Sequence, residues 1–373
     1  MSGEGRTYSS VEICAGAGGQ AVGLHRAGFR HRALIEVDPH AVQTLEHNTR
    51  KHGWQDCAVL PWDLTSFEMD DLKEILGDER LGLLAGGVPC PPFSVAGKQL
   101  GEDDERDLFP VMLDMVEALE PRAVMIENVR GLLEPAHKFA PYRARIIARL
   151  ELLGYRILGW DVLEARDYGV PQLRPRAILV AMREPDASYF LPPRASGEVV
   201  TVAEALEETM RVRFGDSLKG REYYDKWWKA ATQKEGAVAP TLVGGSKKHG
   251  GADLGPTRAK RAWAALGVDG HGVADPHGQT KDRERDLYGE RGPKLTVEQA
   301  AIIQGFPTDW EFQGRKTAAY RQVGNAFPPP VAQAVGEAII RALRASDAGA
   351  GQPKEQADGL LETTAPRQLT LTG

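Results

Sequence analysis

Val11-Glu12-Ile13-Cys14-Ala15 runs into Gly16-Ala17-Gly18-Gly19, and a helical pattern follows from about Gln20 to Ala27. An apolar β-rich run, a glycine-rich turn and a helix make one βα unit, and the unit recurs along the first half of the chain. Ala33–Val37 is a second strand, followed by a helix over Pro39–Lys51 with proline in its first turn. Leu81–Ala85 and Ala123–Ile126 are further apolar runs, separated by a helix from about Leu108 to Leu119, and Arg156–Leu163 and Ala177–Met182 supply later strands. Strands alternating with helices predict an α/β fold built on a doubly wound, mostly parallel sheet. Beyond residue 183 the rhythm stops. The stretch 184–292 is rich in Gly, Pro and charge, with short irregular runs, and reads as a separate module. Helical patterns return at Thr296–Gln304 and Pro328–Leu343, and from Ala345 the composition predicts a disordered tail.

The bulk numbers narrow the class. With 373 residues, 42% hydrophobic and 26% charged, the chain can bury a full core and divide into two domains. No apolar run reaches the ~18 residues of a membrane span, and the first ten residues show no basic-then-apolar leader. Cys14, Cys57 and Cys90 lack metal spacing and cannot all pair, so no metal and a reducing, cytoplasmic setting are expected. The net charge of −6 is unevenly spread: residues 211–263 hold 12 Lys/Arg against 5 Asp/Glu, or +7. Phe214, Tyr223, Tyr224, Trp227, Trp228 and Trp263 are interleaved with that charge. The pattern fits a phosphate footprint, and equally a solvated surface over a small aromatic core.

Several residues carry chemistry. Glycines after the first strand let the backbone approach a ligand and aim free N–H groups at it, but their spacing is a poor dinucleotide fingerprint. Glu36, 17 residues beyond Gly19, ends the second strand, where an acid can accept both hydroxyls of a ribose. Asp63 could take an adenine amino group, or with Thr65 nearby it could serve only as a cap. Gly87-Val88-Pro89-Cys90-Pro91-Pro92-Phe93-Ser94 places a thiol on a stiff loop after a buried strand, at the edge where open α/β folds bind ligands. The amino end of a following helix would lower its pKa from roughly 8.5. Ala123–Ile126 delivers Glu127-Asn128-Val129 to the same edge, where burial would keep a carboxyl group protonated. Arg174 and Arg176, at i and i+2 on an extended segment, can fix a planar acceptor or a phosphate. Together these suit addition to an electron-poor ring. A thiolate adds to C6 of cytosine, a carboxyl group bonds N3, and C5 becomes nucleophilic toward an electrophilic methyl group.

The ordered series Ala15–Gly19, Glu36, Asp63, Pro89-Cys90, Glu127-Asn128-Val129, Gln172/Arg174/Arg176, Gln304-Gly305-Phe306-Pro307 and Gln322-Val323-Gly324-Asn325 resembles the DNA (cytosine-5) methyltransferases. The resemblance covers about residues 9–183 and 293–340. It implies a Rossmann-like methyltransferase domain over 1–183, a smaller domain over 184–317 with target recognition in about 184–292, and a segment 318–344 returning to the first domain. It implies that Ala15, Gly16, Gly18, Gly19, Glu36, Val37, Asp63, Leu64 and Pro89 bind S-adenosyl-L-methionine, with Gly324 and Asn325 assisting. Cys90 would be the nucleophile, Glu127 the N3 partner and Arg176 the contact to cytosine O2, with Arg174 beside it. Ser94–Arg106, with Gly97, Lys98 and Gly101, resembles a loop that closes on DNA. Ser94, Lys98, Lys247, Lys248 and Arg258 are the expected DNA contacts. The implied partners are double-stranded DNA with a flipped-out base and a cognate restriction endonuclease, and a monomer suffices for the chemistry.

Four positions depart from the pattern. Cys14 stands where an aromatic is usual, Pro91 for Gln, Gln299 for an acid, and Ala326 for Ser. None makes or breaks a bond in the reaction. An RNA cytosine-5 methyltransferase is the nearest rival, but the long 184–292 module suits readout of a duplex. A non-catalytic DNA-binding protein sits poorly with intact Cys90, Glu127 and Arg176. A nicotinamide oxidoreductase fails on the glycine spacing.

Overall fold

A computed structural model describes residues 7–89, 107–244 and 252–350. Its seven-stranded sheet runs in the order β3-β2-β1-β4-β5-β7-β6. The strands are β1 (Tyr8–Ile13), β2 (Phe29–Ile35), β3 (Ala58–Leu60), β4 (Leu83–Gly86), β5 (Ala123–Val129), β6 (Tyr155–Glu164) and β7 (Pro175–Arg183). All neighbouring pairs from β3 to β5 are parallel, and β7 alone runs against both its neighbours. The doubly wound, mostly parallel sheet expected from the sequence is what forms. Its order reverses between β1 and β4, and the crevice beyond their carboxyl ends is the natural ligand position of such a sheet.

Side-chain alternation explains the layers. Val11, Ile13, Ala33, Ile35, Leu84, Val124 and Ile126 face helices α3 (Met69–Leu76), α4 (Phe109–Leu119) and α5 (Ala140–Leu152). Tyr8, Phe29, Leu83, Ala85, Ala123 and Met125 face the other way, in a core with residues of α1 (Gly19–Ala27) and the C-terminal helix α12 (Pro329–Asp347). Helix α2 (Pro39–Lys51) opens on the Asp38 carboxylate, which accepts from the His40 and Ala41 amides. Among the described residues no helix is long and apolar enough to cross a membrane.

Two expectations need correction. The stretch 184–292 is not a run of irregular segments: it holds α6 (Val202–Phe214), α7 (Leu218–Ala231), α8 (Thr257–Ala265) and the short α9 (Arg283–Asp286). Thr201 and Glu204 form a capping box on α6, and Ser217 caps α7 through the Gly220 amide. Their inward faces mix Val202, Leu206, Met210 and Phe214 with the aromatics Trp227 and Trp263, so one core forms without a plain aliphatic stripe. That core also takes in residues of α10 (Val297–Gln304) and α11 (Lys316–Asn325). The second correction is at the chain's end. Helix α12 continues through Ala345 to Asp347, because the buried Arg122 guanidinium bridges Asp347 (2.9 Å) and Asp186 (2.6 Å). Residues 351–373 of the expected tail lie outside the described residues.

Helix α12 can lie on α1 only because of glycine. A Cβ on Gly23 would collide with the Pro329 carbonyl oxygen and stand 2.5 Å from the Ala332 Cβ. Gly23→Ala is therefore expected to cost about 1–3 kcal/mol of stability despite its better helix propensity. A denaturant midpoint equal to or above wild type would show that the two helices separate easily.

Candidate active site

The sheet's carboxyl edge holds a cavity of about 270 Å³ lined by groups from every neighbouring strand end. β1 contributes Glu12 and the turn Cys14, Ala15, Gly16, Ala17 and Gly19. β2 delivers Glu36, β4 delivers Gly87 and β5 delivers Glu127. Arg321, Gln322 and Asn325 of α11 close the far wall. Ala15, Gly16, Gly19, Glu36, Glu127 and Asn325, which lie up to 310 residues apart in the chain, thus share one cleft.

The turn is locked from two sides. Glu36 accepts from the amides of Gly16 (2.7 Å), Val37 (2.9 Å) and Asp38 (2.8 Å), which fixes its carboxylate at the cavity wall. Gly18, at φ +86°, caps α1, and a Cβ there would stand 2.7 Å from the Trp310 ring. The Trp310 indole N–H donates to the Ala17 carbonyl at 2.9 Å. Gly18 therefore serves the backbone and Trp310 rather than the cavity.

Deeper in, Glu12 is 1% exposed. Its Oε2 and both polar atoms of Gln20 lack a hydrogen-bonding partner at ordinary geometry. Burial pushes the Glu12 carboxyl well above the usual range; the neighbouring Gln20 amide opposes this, and the Glu36 charge adds to it. The same burial, with Glu36 and Glu12 nearby, pushes the Cys14 thiol up to about 12, and burial does likewise for Cys57. Both remain neutral thiols near pH 7.

At the other end β5 and β7 pair with Glu127 opposite Ile178 and Val129 opposite Arg176. Arg176 is therefore the diagonal, same-face neighbour of Glu127, and its Nε reaches Glu127 Oε1 at 2.8 Å. Burial raises the Glu127 carboxyl's pKa, and Arg176, then Arg174, pull it back. Asn128 donates to the Val88 carbonyl at 2.8 Å, which ties the end of β5 to the backbone leading into Pro89. Cys90, Ser94, Lys98, Lys247 and Lys248 lie outside the described residues.

Other expected site residues stand elsewhere. Asp63 is exposed, and its carboxylate takes the Thr65 amide (2.9 Å) and hydroxyl (2.7 Å). Leu64 is buried, Pro89 is exposed, and Val37 projects 62% exposed just past Glu36; none of the three lines the cavity. Arg174, 1% exposed, donates to the carbonyls of Leu242 (2.6 Å), Gly324 (2.8 Å) and Ala326 (2.9 Å). Gln172 joins Gln304 at 2.7 Å and accepts from the Leu242 amide at 2.7 Å. Arg258 is exposed in the first turn of α8.

The basic aromatic stretch divides. Phe214, Trp227 and Trp263 are core, while Lys219, Lys226 and Arg211 pair with Glu284, Glu222 and Glu207. The run Ala237–Gly244 escaped notice in the sequence. It bridges to Gln172 through Ala239 and brings Gly244 against Gly324, where a Cβ would meet the Gly244 amide at 2.5 Å. Gly244-Gly245 after an apolar run was the readable sign of such a close backbone approach.

A Rossmann-like α/β protein with a glycine turn, a fixed acid and a carboxyl–guanidinium pair at one edge of its sheet is the class that fold and site define. Known proteins narrow it. The model of the C-5 cytosine-specific DNA methylase family matches residues 8–341. The Type II methyltransferase M.NaeI of Lentzea aerocolonigenes is 50% identical over 91% of this chain and 76% of its own length. M.NgoMIV of Neisseria gonorrhoeae is 46% identical over 90% and 98%. Among solved structures the Entamoeba histolytica methyltransferase EhMeth shares the fold, with a TM-score of 0.61 at 15% identity over 91% of this chain and 99% of that one. The chain belongs to the C-5 cytosine-specific DNA methylase family and is a DNA (cytosine-5) methyltransferase.

Glu12 gives the site a measurable signature. Its folded carboxyl holds a proton to higher pH than in the unfolded chain, so stability falls as pH rises from about 4.3 toward the folded value, then stays low. The slope is up to about 1.4 kcal/mol per pH unit. In thermal melts of the ligand-free protein, Glu12→Gln is expected to match wild type near pH 4 and to exceed it near pH 8. Parallel declines in both proteins would show that Glu12 ionises freely.

Proposed function

We propose that this chain transfers a methyl group from S-adenosyl-L-methionine to C5 of cytosine in a specific duplex DNA sequence. The observation that supports it most is the single cleft that joins Glu36 and the glycine turn at one end to Glu127, held by Arg176 from behind, at the other. The donor set fits the cofactor: a fixed carboxylate for ribose hydroxyls, and a buried acid at Glu12, with no cation beside it among the described residues, for positive charge. When bound, the cofactor would supply an electrophilic methyl group and leave as its thioether.

The residues then divide the work. With Cys14 and Cys57 held neutral, Cys90 is the thiol left to attack C6 as a thiolate. The covalent bond to C6 shifts electrons toward N3 and C5. The raised Glu127 carboxyl donates its hydrogen bond or proton to N3, and Arg176, already held by Glu127, faces O2. Once C5 carries the methyl group, a base removes the C5 proton, electrons return to re-form the C5–C6 bond, and the thiolate leaves. Glu127 and Arg176 are each 14% exposed at the sheet's carboxyl edge, so the base must leave the duplex to meet them. The Type II names of the relatives favour a second element of the proposal, that this chain protects DNA from a cognate restriction endonuclease inside the cell.

Base-resolution mapping of 5-methylcytosine in a methylation-free bacterial host expressing the chain is expected to show one short recurrent site, absent with Cys90→Ser. Methyl transfer to RNA but not DNA would move the substrate to the rival class. Glu127→Gln is expected to lower the chemical step by about 10²–10⁴-fold with much less effect on DNA affinity. Equal losses in both would make Glu127 structural.

A further inference from the structure

One charged side chain of the cleft has no role in the reading above. Arg321 projects from α11 into the cavity wall beside Ala318 and Asn325, its neighbours at three and four residues on that helix. Among the described residues no acid pairs with it, and its buried Nε makes no hydrogen bond. Every other ionic group of the cleft has a different environment. Glu36 is held by three backbone amides, Asp38 caps α2, and Glu127 pairs with Arg176. Glu12 and Gln20 stand side by side deeper in the cavity, acid against amide.

Among the described residues that line the cavity there is no Ser, Thr or Tyr hydroxyl, and Arg321 is the one with a positive charge fixed at all working pH. An acid-lined cleft repels a carboxylate unless a cation meets it. A ligand with a nucleoside at Glu36 and an amino-acid tail brings one such carboxylate. The glycine turn has fewer amides to offer, since the Gly16 N–H goes to Glu36 and the Gly18 N–H to the Ala15 carbonyl. We propose that Arg321 anchors the α-carboxylate of the cofactor's amino-acid tail, which turns its ammonium group toward Glu12 and Gln20. The proposal rests on the cofactor reading above and adds a residue to it. The guanidinium at the cavity wall gives the carboxylate a forked, charge-assisted partner.

The test is calorimetric titration of the full-length protein with two ligands. S-adenosylhomocysteine carries the amino-acid tail; 5′-methylthioadenosine has the same nucleoside and thioether without it. Arg321→Gln is expected to weaken the first by roughly 10- to 100-fold, the range of a lost charge-assisted bond, and to leave the second within about twofold. Arg321→Lys, which keeps the charge, is expected to restore most of the loss. Unchanged S-adenosylhomocysteine affinity in Arg321→Gln would overturn the assignment and leave the carboxylate to the amides at the start of α1. Equal weakening of both ligands would also overturn it, by making Arg321 a pocket-shaping residue. Failure of the wild type to bind S-adenosylhomocysteine would instead remove the cofactor reading, and the Arg321 assignment with it.

Discussion

The Arg174 guanidinium, sealed from solvent, holds the cleft together. Three carbonyls from parts of the chain about 70 to 150 residues away converge on it: Leu242, Gly324 and Ala326. Gln172 and Gln304 extend the same knot, since Gln304 donates to the Ala326 carbonyl and Gln172 holds the Leu242 amide. Removing a charge from water costs several kcal/mol, and carbonyl dipoles at short range offset it only if all are in place. Burial accordingly pushes the Arg174 pKa well below its ordinary value, with the Arg176 charge adding to the effect. The knot is therefore cooperative. The run Ala237–Gly244, the end of α11 and the start of β7 are positioned together or not at all.

This clamp also sets the electrostatics beside it. Arg174 lies close enough to Glu127 to oppose the burial that raises the Glu127 carboxyl, while Arg176 bonds it directly. A carboxyl group between desolvation and two cations is poised rather than fixed in one charge state, which is what a group needs if it is to follow the charge on a ring nitrogen through a reaction. Structure and chemistry are coupled here through one strand: β7 carries Arg176 on the face it shares with Glu127, and the clamp just precedes it.

Much of this was legible in the sequence because it depends on local pattern. Apolar runs of period two separated by helices fix a parallel sheet, and residues that end such strands must gather at one edge; hence Glu36, Glu127 and the glycine turn were readable. Arg174 was legible as important but not in its role, because nothing local distinguishes an arginine aimed at substrate from one aimed at three distant carbonyls. The helices of 184–292 were missed for a different reason. Their signals were caps, Thr201 with Glu204 and Ser217, whereas their buried faces mix aromatics with charge and defeat an aliphatic count. The aromatics fitted an interface and a small core equally, and the burial of Phe214, Trp227 and Trp263 makes those three core. Glu12, Gln20 and Arg321 carried no sign of the cleft, since burial and the lack of a partner are properties of the fold.

The distribution of polar satisfaction across the cleft is itself informative. Around the cavity the backbone is fully occupied where it must be rigid: Glu36 on three amides, Trp310 on Ala17, Asn128 on Val88. Among the described residues, buried side-chain atoms without a partner occur on both sides of the fold, from Ser9 and Arg32 to Trp227 and Trp263, and those of Glu12, Gln20 and Arg321 belong to cavity-lining side chains. Buried polar groups without partners cost about 1–3 kcal/mol each, so a stable fold keeps few of them. The cavity differs from the rest in sign: the acids Glu12, Glu36 and Glu127 stand on the strand side and the Arg321 guanidinium on the α11 side, an arrangement suited to a ligand with both a positive and a negative end. The fold carries that cost beside its firmest contacts: the Arg174 knot grips the carbonyl of Ala326, and α1, packed on α12, supplies Gly19 and Gln20 to the same cavity wall.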